Sequence, residues 1–266
     1  MDDKTKTDKM LSRKDGRVGY VIFNNPERHN AVSLDMWART TEILDAFARD
    51  DEVRVVVITG AGGKSFVSGA DISKFESERA SLDATKIYNT TVAKANESIA
   101  EFPKPTIAMI RGYCIGGGLG LAVCCDLRIC SDNSKFGIPA AKLGLGYSYP
   151  GVKRLADLVG PSFAKEIFFT ARQFDAEEAR VMGLVNRVVP GAELEKYVKD
   201  YADTMAGNAP RPVKAVKYVV GEAMKDEPNR NLKRCAEMVD QCFASNDFTE
   251  GRRAFMVKRK PAFTGT

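Results

Sequence analysis

The stretch GYCIGGGLGLAVCCD at residues 112–126, together with FVSGADI at residues 66–72, carries the most information about the fold. In the first stretch, three glycines that begin at Gly116 lead directly into apolar residues with helical spacing. Glycines allow a backbone to approach a ligand closely, and the first turn of a helix presents unpaired N–H groups. The pattern therefore predicts a site where backbone N–H groups stabilise a developing oxyanion. No acidic or basic side chain occurs in this stretch before Asp126, so the usual groups for proton transfer are missing.

The bulk composition is that of an ordinary globular protein. The chain has 266 residues, of which 44% are hydrophobic and 28% are charged. Its net charge of +5 is weak evidence for nucleic acid binding and suits phosphate-bearing small ligands equally well. No apolar run approaches the ~18 residues of a membrane span. Residues 1–17 are polar and mixed in charge, unlike a signal or transit peptide. From the small net charge and the lack of a long apolar run, we expect neither nucleic acid nor a membrane as partner.

Cysteine and histidine usage limits the chemistry further. Six cysteines stand at residues 114, 124, 125, 130, 235 and 242, without a CxxC pair and mostly among apolar neighbours. This usage predicts buried, reduced thiols and a cytoplasmic protein. The single histidine, His29, excludes a His-rich metal site and argues against a Ser-His-Asp triad, so we expect no metal.

The order of apolar segments predicts an α/β protein. Strands and helices alternate over the first ~140 residues, which implies crossover connections. From about Pro161 onward the pattern becomes helical. The predicted strands cover residues 18–23, 53–59, 106–110 and 127–130, with a short one from Phe66 and a strand or extended link at 184–189. The predicted helices cover residues 34–49, about 82–102, 176–182, 212–224, 231–245 and 248–258.

Six segments, taken in order and spacing, resemble the crotonase (enoyl-CoA hydratase/isomerase) superfamily over nearly the whole chain. They are NNPERHNA at 24–31, FVSGADI at 66–72, PKPTIAMIRGYCIGGGLGLAVCCDLRI at 103–129, FGIPAAKLGLG at 136–146, ARVMGLVNRVVP at 179–190 and EGRRAFMVKRKPAF at 250–263. The resemblance implies a crotonase-type ββα spiral core over residues 1–200 and a helical C-terminal oligomerisation region over 201–266. It also implies a homotrimer or a dimer of trimers. The substrate would be an acyl-CoA thioester, with coenzyme A as part of that substrate and no separate cofactor.

The resemblance also assigns an oxyanion hole and a CoA site. By motif match, the N–H groups of Ala70 and Gly117 would hold the thioester carbonyl, and polarising it lowers the energy of an enolate. The residues that would contact CoA are Arg28, Ser68, Ala70, Asp71, Ile72, Phe255 and Lys258. The last two resemble residues that reach the CoA of a neighbouring subunit. Lys258 can equally be a solvated cation at the end of the last helix.

The chain departs from the family pattern at the catalytic acids. Hydratases of this family use two glutamates, and the matching positions here are Gly120 and Ala140. Members that use an aspartate further along the same loop would carry it at Ser148. Without these carboxylates we expect ordinary hydration to be slow. The small side chains predict a roomy acyl pocket formed by Gly120, Ala140, Tyr147 and Ser148.

Tyr147 is the candidate catalytic residue that remains. It matches a tyrosine in methylmalonyl-CoA decarboxylase-like members, although those carry a histidine where this chain has Ala70. A tyrosine could orient the substrate carboxylate or protonate the carbon after CO₂ leaves. Alternatively, Tyr147 is an aromatic wall of the acyl pocket. Acidic residues at Glu76, Glu78 and Asp83 could fold over the pocket or form a solvated face.

Three functions follow from these observations. The first is an enoyl-CoA hydratase/isomerase-like enzyme, a lyase in class, that acts on an acyl-CoA through an enolate with non-standard catalytic residues. The second is a decarboxylase of a malonyl-CoA-type substrate that uses Tyr147. The third is a non-catalytic acyl-CoA binding protein.

Overall fold

Short strands with buried residues form the centre of the molecule. The computed structural model describes residues 8–78 and 80–266, except for the side chains of residues 75 and 76. Within that part of the chain, the strands are β1 Met10–Asp15, β2 Val18–Phe23, β3 Val55–Gly60, β4 Ser65–Val67, β5 Thr106–Ile110, β6 Tyr113–Ile115, β7 Leu127–Ser131, β8 Lys135–Gly137, β9 Phe174–Asp175 and β10 Arg187–Val189.

The strands form two sheets. The larger has the order β1-β2-β3-β5-β7-β10, and the smaller has the order β4-β6-β8-β9. Pairing is antiparallel between β1 and β2 and between β8 and β9, and parallel elsewhere. Successive strands alternate between the two sheets from β3 to β8, as expected where each step along the chain needs a crossover.

Helices complete this alternation. The α-helices are α1 Leu34–Arg49, α2 Phe75–Glu78, α3 Leu82–Ala100, α4 Gly117–Ala122, α5 Tyr149–Thr170, α6 Ala176–Val181, α7 Leu194–Gly207, α8 Pro210–Ala223, α9 Leu232–Phe243 and α10 Asn246–Met256. The order β3-β4-α3, β5-β6-α4 and β7-β8-α5 is a repeated ββα unit, apart from the short α2. The predicted α/β class and its ββα spiral are therefore confirmed.

The inner strands of the larger sheet are buried on both faces, which explains their continuous apolar sequences. Val56 and Ile58 of β3 belong to the main core with α1, while Val55 and Val57 pack in a second cluster with Leu194 and other residues of α7. Helix α1 begins after Ser33 and buries Met36, Ile43, Leu44 and Phe47, as its spacing predicts.

Several elements differ from the sequence-based prediction, which also lacks α7 and the short strands β6, β8 and β9. Strand β1 was not predicted because it is almost entirely exposed and polar; antiparallel pairing with β2 around Gly16 defines it instead. Helix α5 begins at Tyr149, not near Pro161, because Gly160, with φ of 77°, kinks a longer helix. Helix α10 ends at Met256, so Lys258 lies beyond it. Helix α7 packs on the sheet and crosses the predicted boundary at residue 200, which stays a prediction.

Candidate active site

A cavity of about 760 Å³ opens beside the glycine triplet. Its wall is formed by the loop after β4, helices α3 and α4, the segment after β8 and the start of α5. This cavity collects most of the predicted pocket residues, namely Ser68, Ala70, Ile72, Gly117, Gly120, Ala140, Tyr147 and Ser148.

The two amides assigned to the oxyanion hole lie on adjacent backbone segments. A β-carbon placed on Gly69 would lie 3.9 Å from the amide nitrogen of Gly117. Around Ala70, the bonds from Val32 N to Gly69 O (2.8 Å) and from Asp71 N to Val32 O (3.0 Å) leave the Ala70 N–H free. Gly117 is the first residue of α4, so its N–H has no acceptor within that helix. Within the described residues, neither amide donates a hydrogen bond to the protein.

Glycine is required in this segment for two separate reasons. Gly116 has φ of 57° and ψ of −118°, a conformation that disfavours other residues. A β-carbon on Gly118 would lie 2.0 Å from the carbonyl oxygen of Val67. The absence of a side chain therefore allows α4 to pack directly on β4, which positions Gly117 beside the 66–72 loop.

The space at Gly120, where the resemblance implies the first catalytic glutamate, is open. Apart from its chain neighbours and its own helix backbone, a β-carbon built on Gly120 meets no heavy atom within 4 Å. Ala140 is buried at 5% exposure and lines the same cavity. Asp126, the first acid after the glycines, accepts hydrogen bonds from Thr106 N at 2.7 Å and Lys217 Nζ at 2.8 Å, so it serves the fold rather than the cavity.

Tyr147 stands at the cavity wall just before α5. Its ring packs edge-on against Phe168 with the ring centroids 5.1 Å apart, and the residue as a whole is 37% exposed. Burial, with a smaller effect of Tyr88, raises the pKa of Tyr147 to about 12. The phenol is therefore protonated at neutral pH and can donate a hydrogen bond or a proton, whereas it is a poor base.

Tyr88 and Arg154 are cavity residues that sequence reasoning missed. Tyr88 is buried at 3% exposure, and its hydroxyl accepts a hydrogen bond from Trp37 Nε1 at 3.3 Å. In the sequence, Tyr88 lies in a predicted helix with both polar and apolar residues, and Arg154 follows Lys153. These patterns are typical of an ordinary core residue and an ordinary surface residue. Only the fold brings them to one cavity.

The predicted CoA residues divide into two groups. Ser68, Ala70 and Ile72 line the cavity, and Ile72 is 65% exposed at its mouth. Asp71 is instead buried and accepts a hydrogen bond from Ser73 Oγ at 2.6 Å, with Arg28 3.9 Å away.

The other predicted positions lie away from this cavity. Phe255 is 83% exposed and, like Lys258, does not line it. His29 also stands outside it, with Nδ1 3.2 Å from Ser65 Oγ. Glu78 caps α1 by accepting from Leu34 N at 3.0 Å. The predicted position of the Glu76 side chain lies outside the described residues.

The cysteines contribute no disulfide in the described part of the chain, which contains all six. Cys114, Cys124, Cys125 and Cys130 are buried, as predicted. Within residues 8–78 and 80–266, no cluster of His, Cys, Asp or Glu could hold a metal ion. In the same residues, no helix is long and apolar enough to cross a membrane.

The fold and cavity define an α/β protein of repeated ββα units, whose site presents two free backbone amides. Comparisons with known proteins identify the family to which the chain belongs. The pattern of the Enoyl-CoA hydratase/isomerase family matches residues 13–266. The chain belongs to that family, and so to the crotonase superfamily.

Similar proteins cover almost the entire chain. The short-chain-enoyl-CoA hydratase of Clostridium acetobutylicum is 36% identical over 251 residues, covering 94% of this chain and 95% of that protein. The crotonyl-CoA hydratase of Syntrophomonas wolfei is 35% identical over 254 residues, covering 96% and 97%. The crystal structure of an enoyl-CoA hydratase/carnithine racemase from Magnetospirillum magneticum superposes with a TM-score of 0.91 at 34% identity, covering 98% and 97%.

The packing of α4 on β4 predicts different outcomes for two glycines of one helix. Gly118→Ala forces a β-carbon against Val67 O and should lower the free energy of unfolding by ~1–3 kcal/mol. Gly120→Ala is the matched control, because its β-carbon enters open space and should leave stability equal or raise it by ~0.5–1 kcal/mol. Urea unfolding measures both, and equal loss in the two variants would contradict the packing argument.

The environment of Tyr147 predicts its titration. Wild type and Tyr147→Phe should show no difference in tyrosinate absorbance at pH ~10, the ordinary tyrosine value, because burial raises the Tyr147 pKa to about 12. The control is the same pair in denaturant, where the difference should appear near pH ~10 because the phenol is back in water. A difference near pH 10 in the folded protein would show that the phenol is well solvated.

Proposed function

We propose that the protein is an enzyme that acts on the acyl group of a CoA thioester through an enolate. The observation that carries the proposal is the pair of free amides, Ala70 and Gly117, on the wall of one cavity. A thioester oxygen between them would gain two hydrogen bonds as negative charge develops on it, and each such donor is worth roughly 2.7–4 kcal/mol in comparable sites. Ser68 and Ile72 would then lie along the CoA moiety. CoA belongs to the substrate, so the proposal includes no separate cofactor.

Ordinary hydration is not the reaction that these residues favour. Adding water across a double bond needs a base for the water and an acid for the carbon. Gly120 and Ala140 provide neither, and none of the described residues that line the cavity is Asp or Glu. We therefore propose non-standard catalytic residues, although several relatives are named as hydratases.

Decarboxylation of a malonyl-CoA-type substrate is the second candidate, and protonated Tyr147 favours it. The bond between the carboxylate carbon and the α-carbon breaks and CO₂ leaves. The electron pair passes into the thioester enolate held by Ala70 and Gly117. Tyr147 donates its proton to the α-carbon and regains one from solvent. No base is needed, since loss of CO₂ itself forms the enolate.

Incubation with crotonyl-CoA and, separately, methylmalonyl-CoA tests both candidates, with the products followed by mass. Release of CO₂ and formation of propionyl-CoA would support decarboxylation. Tyr147→Phe should then slow turnover by ~10²–10⁴-fold if the phenol transfers the proton. Tyr149→Phe is the control, because Tyr149 is 75% exposed and does not line the cavity.

The remaining outcomes are equally informative. Fast hydration of crotonyl-CoA would mean that other groups replace the two glutamates. Binding of both thioesters without turnover would leave the non-catalytic acyl-CoA binding protein. Failure to bind any CoA thioester would overturn the proposal altogether.

We also propose that the protein forms a homotrimer or a dimer of trimers through its C-terminal helices, in the cytoplasm. Large apolar side chains on these helices are exposed: Val216 (63%), Val220 (56%), Phe243 (61%) and Phe255 (83%). An apolar surface of this kind is typical of an interface between subunits. Phe255 and Lys258 would then be available to a neighbouring subunit's CoA.

Sedimentation equilibrium tests this assembly. We expect a mass of three or six times the chain mass of 29.2 kDa, because the exposed apolar side chains gain free energy when water is removed from them. Phe243→Asp should shift the protein towards smaller species, whereas the surface change Lys196→Ala should not. A monomeric wild type would contradict the proposal.

A further inference from the structure

The acyl part of the cavity carries positive charge without a matching acid. Arg154 and Lys86 are its charged residues among those the structure describes. Lys86 is exposed at the rim, whereas Arg154 on α5 is partly buried. In the described part of the chain, Arg154 forms no ion pair with a carboxylate. The nearby acid on the same helix, Asp157, pairs with Lys153 instead, at 2.6 Å.

The contact that Arg154 does form leaves its charge uncompensated. Its guanidinium lies near the Cys124 thiol. Burial raises the pKa of that thiol to about 11, although the positive charge of Arg154 acts to lower it, so the thiol is neutral at physiological pH. The Cys124 S–H in turn donates to the carbonyl oxygen of Gly120 at 3.2 Å.

These contacts place Arg154 near Gly120, where the resemblance implies the first catalytic glutamate. The Cys124 thiol bonds to the carbonyl oxygen of Gly120 and lies near the Arg154 guanidinium. All three residues are at the same cavity or next to it, and the space where a side chain of residue 120 would extend is open. A glutamate there would give Arg154 a counter-charge. With glycine, none of the described residues that line the cavity supplies one, and a ligand can.

A second polar group in the cavity also lacks a partner. Asn96 on α3 lines the cavity, and its Oδ1 is buried without a hydrogen bond in the described structure. An amide side chain turned by 180° presents Nδ2 in place of Oδ1, so Asn96 can offer a donor as well as an acceptor. A purely hydrocarbon acyl chain would displace water from Asn96 and Arg154 without offering either a hydrogen-bond partner. This loss would weaken binding.

We propose that the acyl group of the substrate carries a carboxylate, and that Arg154 binds it. The substrate is then a thioester of CoA with a short dicarboxylic acid. A guanidinium is suited to this task because it binds a carboxylate through two parallel hydrogen bonds. The inference deepens the proposed function and rests on it, and Arg154 is a specificity-determining residue at the same site.

Pairs of CoA thioesters that differ only in charge test the proposal. Succinyl-CoA and butyryl-CoA share a four-carbon acyl chain, and methylmalonyl-CoA and isobutyryl-CoA share a branched one. Dissociation constants measured by calorimetry with freshly prepared ligands should favour the acid in at least one pair by roughly tenfold to hundredfold. Equal affinities within both pairs would overturn the proposal.

Variants locate the effect at Arg154. Arg154→Met should abolish the preference for the acid and leave butyryl-CoA binding nearly unchanged, while Arg154→Lys should retain part of it. Lys86→Met is the matched control, because it removes a cavity cation at the rim and should keep the preference. Equal loss in both methionine variants would show a general effect of positive charge and refute a specific anchor.

Gly120→Glu provides an independent test that leaves Arg154 in place. The introduced carboxylate should pair with Arg154 and remove the preference for acidic thioesters, whereas the uncharged Gly120→Gln should preserve it. Thermal unfolding of each variant identifies any that fails to fold. Binding of butyryl-CoA separates the two proposals: if it binds and no acid is preferred, only the anionic substrate is wrong, whereas failure of every thioester to bind rejects the proposed function itself.

Discussion

The site depends on the close contact between the backbone at Gly118 and the carbonyl group of Val67. Helix α4 can lie directly on β4 only because residue 118 has no side chain. At the other end of α4, buried Arg128 donates to Cys125 O at 2.6 Å and to Leu184 O at 2.8 Å. The helix is therefore fixed at both ends, and the placement of the Gly117 amide follows from backbone packing.

This construction separates two tasks within one cavity. Backbone amides, which no substitution other than proline removes directly, can polarise a carbonyl. Side chains on the other walls, such as Tyr147 just before α5 and Tyr88 on α3, are placed to act on the rest of the bound group. Under the proposed function, the same scaffold would keep its capacity for enolate chemistry with Gly120 and Ala140 at the positions where the family resemblance implies acids.

The sequence predicted the strands and helices whose bounds are set by their own residue pattern. Strand β5 coincides with its predicted bounds, and α6 begins at its predicted residue, where Asp175 caps it. Strand β1 could not be predicted, because pairing with β2 defines it and its polar residues show no pattern. The roles of Ala70 and Gly117 came from motif resemblance, whereas Arg154 became visible only when the fold joined it to Cys124 and Gly120.

The charge of Arg154 also bears on which reaction the cavity can catalyse. A guanidinium that pairs with a carboxylate stabilises the ground state, and loss of CO₂ turns that anion into a neutral molecule. Pairing with the carboxylate that leaves would therefore oppose decarboxylation unless Arg154 gains more by orienting it. Pairing with a carboxylate that stays on the product carries no such penalty, because the contact persists through the transition state. The distance from the thioester at which an acid group binds best thus separates a carboxylate that reacts from one that only anchors the substrate.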